Sequence, residues 1–157
     1  MSVSIKLEGV GNVHAVFREL ADEIGDKKAN SKILIPAVRE AMKPVLAKSR
    51  ADAPVDTGGL KLSLQVEARR PNRKDKRSKY IANTDTVISL VTTAPGKKLA
   101  KLGIKSDARA IAQEFGTARN PAHPYLRAAL ESQSTSVVNN LAGILARRID
   151  KYKKANL

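Results

Sequence analysis

Apolar residues recur every three or four positions in the first third of the chain. This helical spacing predicts a helix over 13–24, ended by Gly25, and a second helix over 31–51. Pro44 lies in the middle of the second pattern, where its ring and its missing N–H disrupt helical hydrogen bonding. We therefore expect the second helix to bend near Lys43.

A period of two replaces the helical spacing further along the chain. The turn-forming residues of 53–59 are followed by 60–67, where leucine or valine alternates with a polar residue throughout. β-Branched residues then dominate 86–93, and both phases of that run are apolar. The two runs predict two strands, and an antiparallel pair is the simplest connection between them.

The last third of the chain returns to helical spacing. A short helix fits 106–115, with Gly116 placed to end it, although a strand fits the same residues. The prolines of 117–124 exclude regular structure there. Pro124 suits the first position of a final helix of roughly 28 residues, with a break expected around 132–136.

These elements predict an α+β fold in which a small antiparallel sheet packs against helices, with a long C-terminal helix and a long basic hairpin loop. The length of 157 residues suits a single domain over 1–157. Within it we expect a mobile basic loop at about 68–80 and a flexible tail at about 151–157. Because apolar runs are short and cysteine is absent, we expect a soluble, intracellular protein without disulfides.

Charge is the strongest feature of the composition. The formal net charge is +14, from 29 basic and 15 acidic residues, and it favours polyanionic partners. Aromatic residues make up only 3% of the chain, which favours phosphate contacts over base stacking. The segment 69–79 holds seven cations and one acid, and a solvated, flexible loop is an equally good interpretation of it. Its candidate contacts with a polyanion or an acidic partner are Arg69, Arg70, Arg73, Lys74, Lys76, Arg77 and Lys79.

Catalytic chemistry finds little support in the sequence. The two histidines, His14 and His123, have no catalytic partner at a recognisable spacing, and no phosphate-cradling or dinucleotide motif is present. The triplet Asp56–Gly58 resembles the aspartic-protease motif, which requires a second copy of the carboxylate. Turn chemistry accounts for all three of its residues. We predict a protein that is not an enzyme and that uses no metal or cofactor.

Two spaced signatures carry more information than these fragments. The first is A-x-A-P-V-D-T-G-G-L-K-L-S-L at 51–64, and the second, at 114–130, is E-F-G-T followed after a proline-containing gap by H-P-Y-L-R-A-A-L. In their order and spacing they resemble the minor tail-component family of long-tailed double-stranded DNA phages, which includes tail-completion and head-to-tail joining proteins. The residues that match the family pattern are Pro54, Asp56, Thr57, Gly58, Leu60, Glu114, Phe115, Gly116, Thr117, Pro124, Tyr125, Leu126, Arg127 and Ala129.

The resemblance implies a structural protein of a phage or prophage virion that closes into a ring, commonly sixfold, where head meets tail. Its implied partners are further copies of itself, neighbouring neck and tail proteins, and genomic DNA through nonspecific contacts, with no membrane. Its implied location is the neck or tail of the virion, after assembly in the host cytoplasm. Tail completion, tail termination and a head-side adaptor role all stay open, as does a monomeric state before assembly. The alternative function is that of a basic DNA-binding protein without sequence specificity.

Overall fold

The computed structural model describes residues 11–55, 58–104 and 109–156. Helices dominate these residues, and their strands form one two-stranded antiparallel sheet, which confirms the predicted α+β class. The chain divides into two compact units. The first unit comprises 11–41, 68–89 and 135–156, and the second comprises 42–55, 58–67, 90–104 and 109–134. Each unit is assembled from separate chain segments. The single domain over 1–157 stays a prediction.

The core of the first unit joins the first helix to the last. Helix α1 (Gly11–Ile24) contributes Leu20 and helix α8 (Leu126–Asn156) contributes Ile149, and both side chains are almost fully buried. Helix α1 confirms the helix predicted over 13–24. Gly25 ends it with a φ of 88°, a conformation that glycine adopts without the strain that a Cβ brings.

A stripe of buried residues spaced strictly four apart runs through the second helical region. An α-helix turns about 100° per residue, so this spacing drifts about 40° per repeat away from a single helix face. A π-helical turn, which holds more residues per turn than an α-helix, absorbs part of the drift. The stripe consists of Ala29, Ile33, Ala37, Ala41, Val45, Ser49 and Ala53.

The second helical region is consequently a series of short helices. Helix α2 (Asp26–Ala29) leads into the π-helical turn (Asn30–Leu34) and helix α3 (Ile35–Ala41), and a break at residue 42 precedes helix α4 (Lys43–Asp52). This break lies where Pro44 is expected to disrupt the helix, and the bend near Lys43 stays a prediction. Pro44 lies in the first turn of α4, where its missing N–H leaves no helical hydrogen bond unmade.

The strand predicted from the alternation of 60–67 begins later than expected. Helix α5 (Gly59–Ser63) occupies the first half of the pattern, and strand β1 (Leu64–Arg69) follows it. Leu60 is buried whereas Leu62 is 65% exposed, and the Ser63 hydroxyl donates a hydrogen bond of 2.6 Å to the Leu60 carbonyl oxygen. The prediction is wrong for 60–63 because leucines four apart lie on one face of a helical turn as well as of a strand.

Strand β2 (Ile88–Thr93) pairs with β1, which confirms the predicted antiparallel pair. Helix α6 (Gly96–Lys101) follows β2. Within it, Lys98 Nζ donates a hydrogen bond of 2.7 Å to Gln65 Oε1. Helix α7 (Arg109–Phe115) confirms the helix, rather than the strand, of the two alternatives for 106–115. Residues 105–108 lie outside the described residues.

Helix α8 is continuous, so the break expected at 132–136 is wrong. The hydroxyls of Ser132 and Ser134 donate hydrogen bonds of 3.0 and 3.1 Å to carbonyl oxygens three residues back, which lets both serines remain helical. The helix begins two residues after Pro124 and continues to Asn156, through most of the segment expected to form a flexible tail. Its residues 126–134 belong to the second unit and the remainder to the first.

Candidate functional site

The basic loop, residues 69–79, keeps most of its charge on the surface of the first unit. Arg69 is half-buried, whereas the other six cations of the basic loop are exposed. Lys79 Nζ lies 5.0 Å from the centroid of the Tyr80 ring, which is itself 71% exposed, in a cation–π geometry. The exposed cations are Arg70, Arg73, Lys74, Lys76, Arg77 and Lys79.

Arg69 pairs with the acid of the basic loop. Its Nη1 and Nη2 both donate to the Asp75 carboxylate, and Nη2 lies 3.1 Å from Oδ1. The backbone N–H of Asn72 donates to Asp75 Oδ2 at 2.7 Å. The pKa of the Asp75 carboxyl is lowered to about 2, mainly by the Arg69 guanidinium and to a smaller extent by this N–H. Because Arg69 is engaged inside the loop, the six exposed cations are the stronger candidates for contact with a partner.

Further hydrogen bonds give the basic loop a defined path. Asn72 Oδ1 accepts hydrogen bonds of 2.8 and 3.0 Å from the backbone N–H groups two and three residues later. A 3₁₀ turn (Asp75–Arg77) follows directly. Lys76 Nζ then donates a hydrogen bond of 3.1 Å to the carbonyl oxygen of Asn83. The loop that the sequence describes as a run of repelling charges therefore contains a hydrogen-bonded turn, and its mobility stays a prediction.

A single buried carboxylate organises the second signature. Glu114 is 6% exposed, and its Oε2 accepts hydrogen bonds of 2.9 Å from the backbone N–H groups of Tyr125 and Leu126. Its Oε1 accepts a third, of 3.0 Å, from the N–H of Arg127. These donors stand at the start of α8, where a helix has no partners of its own for them and where its dipole favours a negative charge.

The capping role of Glu114 is one that the sequence did not predict. Eleven residues separate its carboxylate from the first N–H that it binds. A capping box, in contrast, places the acidic side chain within the first turn of the helix. Only the signature itself marks this glutamate in the sequence.

Gly116 shapes the turn that carries the chain from α7 towards the cap. Its φ of 75° confirms the left-handed residue expected at this position, and a Cβ added there would lie 2.8 Å from the backbone nitrogen of Ala122. The N–H of Thr117 donates a hydrogen bond of 2.8 Å to the carbonyl oxygen of Asn120. Thr117 Oγ1 accepts one of 3.1 Å from the Asn120 N–H, which closes the turn from the other side.

The two signatures meet in the core of the second unit. Leu60 from the first signature and Tyr125 from the second are both buried in it, and Leu126 packs against the same cluster. Gly58 precedes α5 with a φ of 76°. The cluster is completed by Ala53, Leu64 and Ala110, with Leu46 and Val91 at its edge.

The remaining signature residues lie outside this core. Pro54 is half-buried, whereas Thr117, Pro124 and Arg127 are exposed. Asp56 and Thr57, to which turn chemistry was assigned, lie outside the described residues. The structure therefore brings together Leu60, Glu114, Tyr125 and Leu126, and it holds the basic loop in the other unit.

Helix α7 exposes two large apolar side chains. Phe115, a signature residue, is 66% exposed, and Ile111, one helical turn earlier, is 70% exposed. Residues four apart lie side by side on a helix surface, so the two form one apolar face. We call Ile111 and Phe115 the α7 face.

Within the described ranges, no group of three or more histidine, cysteine, aspartate or glutamate residues is placed to hold a metal ion. No helix in the same ranges combines the length and the apolar composition needed to cross a membrane. Neither a protein-family model, nor a curated protein, nor a solved structure matches the chain.

Proposed function

We propose that the chain is a structural subunit of a tailed-phage or prophage virion, which forms a ring at the junction of head and tail and acts in tail completion or head-to-tail joining. One observation carries this proposal. The two signatures that resemble the minor tail-component family converge on one core, where Leu60 packs with Tyr125 and where Glu114 caps α8. Residues that build a core and cap a helix suit a structural role better than a catalytic one.

The α7 face supports contact with a neighbouring subunit. A ring is built from heterologous interfaces, in which a patch on one copy meets a different patch on the next copy. Adjacent exposed apolar side chains mark a surface for such protein contacts. We therefore assign Ile111 and Phe115 to the subunit interface of the ring.

Positive charge supports a polyanionic or acidic neighbour for the assembled ring. Six copies would carry 6 × 14, a formal charge of +84. Like charges at that density repel one another unless DNA, acidic protein surfaces or salt neutralise them. The six exposed cations of the basic loop would face that neighbour.

Light scattering on the purified chain, at low and high salt and with and without duplex DNA, tests this proposal. We expect a ring that persists at high salt, where ions screen its charge, and whose mass there does not depend on DNA. Ile111→Ser should reduce it to smaller species. Leu62→Ser removes an apolar side chain of similar exposure, 65% against 70%, elsewhere in the second unit and should leave the ring intact. A monomer that binds DNA and releases it as salt rises would contradict the proposal.

A basic DNA-binding protein without sequence specificity is the second candidate, and the exposed cations of the basic loop favour it. Its test is the combined replacement of Arg73, Lys74, Lys76 and Arg77 by serine. If the chain acts by binding DNA alone, each lost phosphate contact flattens the dependence of log affinity on log salt by about 0.9. If it acts as a ring subunit, the variant keeps its circular dichroism spectrum and its ring, and instead weakens joining or DNA retention.

A further inference from the structure

An open cleft of about 680 Å³ lies in the first unit. Its walls come from α1, from the region of the π-helical turn, and from the chain between Arg70 and Thr86. The charged side chains that line it are all exposed, and cations outnumber acids. The cations are Arg18, Lys27, Arg70 and Lys76, and the acids are Asp26 and Asp85.

Apolar side chains contribute the deeper part of the cleft. Phe17 and Leu34 are half-buried, and Leu145 is 7% exposed. The same three residues belong to the core of the first unit or pack against it. A ligand that fills the cleft therefore meets apolar carbon below and positive charge at the rim.

Asn30 adds a polar group to this apolar surface. It lines the cleft, is 9% exposed, and forms no side-chain hydrogen bond with the described residues. It is also the first residue of the π-helical turn, an element that occurs frequently at functional sites. Its amide is not among the described side-chain groups that are cut off from solvent without a partner, so the amide is open to the cleft and a peptide group of a ligand can pair with it.

We propose that this cleft binds an extended, acidic peptide segment of a neighbouring protein. Carboxylates of the peptide meet Arg18 and Arg70 at the rim, an apolar side chain of the peptide packs against Phe17 and Leu34, and a peptide group pairs with the Asn30 amide. An extended segment is required because helical peptide groups are already hydrogen-bonded to one another.

The lining distinguishes a peptide from nucleic acid. An asparagine amide both donates and accepts, as a peptide group does, whereas a phosphodiester only accepts. The apolar floor has no counterpart on a phosphate backbone. This inference deepens the proposed function by giving the chemistry of a protein neighbour. Because peptide binding is measured on the isolated chain and ring formation by mass, either one can fail while the other holds.

Fluorescence anisotropy with a dye-labelled decapeptide of alternating glutamate and leucine tests the inference on the full chain. The double variant Arg18→Gln with Arg70→Gln should weaken binding by about tenfold, as expected for two ion pairs of about 0.7 kcal/mol each. The matched control is Lys151→Gln with Lys154→Gln, which removes the same charge from the exposed surface of α8 in the first unit, outside the cleft lining. It should change affinity by less than about twofold.

Two further measurements separate the cleft from general electrostatic attraction. A decapeptide with serine in place of leucine should bind at least about tenfold more weakly, because it buries no apolar side chain. Asn30→Ala should weaken the leucine peptide, with unfolding curves confirming that the variant is folded. Equal losses in the two double variants, equal binding of the serine peptide, or tighter binding of a twelve-base-pair duplex through Arg18 and Arg70 would each overturn the inference.

Discussion

The Glu114 carboxylate accepts a hydrogen bond of 2.9 Å from the backbone N–H of Tyr125, eleven residues further along the chain. Tyr125 is 3% exposed and packs in the core of the second unit, so one bond joins the start of α8 to that core. The carboxylate brings charge as well as an acceptor, and such hydrogen bonds are about twice as strong as neutral ones. The position of Glu114 thus helps to determine where the longest helix begins.

Glu114→Gln should therefore destabilise the chain by about 2 kcal/mol, because the amide keeps one oxygen but loses the charge and turns an N–H₂ towards backbone donors. Urea unfolding followed by circular dichroism measures the change. Glu131→Gln, on the exposed surface of α8, is the control and should shift the free energy of unfolding by less than about 0.5 kcal/mol. Equal midpoints for the two variants would contradict the capping role.

Three glycine-to-alanine variants separate backbone strain from steric contact. Gly58→Ala introduces strain alone, since φ is 76° and nothing lies within 4 Å of the added Cβ, so we expect a loss of about 1 kcal/mol. Gly116→Ala adds the 2.8 Å contact with the Ala122 nitrogen and should cost clearly more. Gly143→Ala, in open space on α8, should stabilise by up to about 1 kcal/mol. Thermal unfolding ranks all three, and equal losses at Gly58 and Gly116 would rule out the contact.

The Arg69–Asp75 pair sets the pH range over which the basic loop keeps its turn. The pKa of the Asp75 carboxyl is lowered from 3.8 to about 2, so the pair contributes fully above the unfolded value. That contribution is lost as the pH falls from about 4 to about 2. An NMR titration of the Asp75 carboxyl carbon should give a midpoint of about 2, which Arg69→Gln moves back towards 3.8. A midpoint near 3.8 in the unaltered chain would show that the pair does not form in solution.

Ser49 should be replaceable with a gain in stability. It is fully buried in the four-residue stripe, and its hydroxyl has no hydrogen-bond partner among the described residues. Ser49→Ala removes this desolvated group and should raise the free energy of unfolding by about 1 kcal/mol. Ser136→Ala, on the exposed face of α8, corrects for the higher helix propensity of alanine. A loss of stability at Ser49 beyond that control would indicate a hydrogen bond to its hydroxyl in solution.

Periodicity predicted those elements whose buried faces repeat within one segment. Helix α1 and the helix break just before Pro44 follow directly from local spacing and proline chemistry. The same method is wrong at Leu60, because a leucine pair four residues apart satisfies the helical and the strand period alike. It is wrong again at Ser132, because a hydroxyl that bonds back to its own helix removes the reason for a break.

The candidate site shows a different limit. Composition identified the cations of the basic loop, but the pairing of Arg69 with Asp75 depends on how the loop turns, which charge counting does not predict. The cap at Glu114 and the cleft around Asn30 both draw on separate chain segments. Non-local hydrogen bonds of this kind leave no short pattern in the sequence.

The four-residue spacing from Ala29 to Ala53 has a consequence for the tolerance of this segment to sequence change. Its buried positions are mostly alanine, so their side chains are small. The packing of this segment therefore depends more on the spacing of these positions than on the shapes of their side chains. Deleting or inserting one residue between Asn30 and Pro36 would turn Ala37 and Ala41 by about 100° within the first unit and expose part of the stripe. The segment should therefore accept exchanges among small residues far more readily than any change in its length.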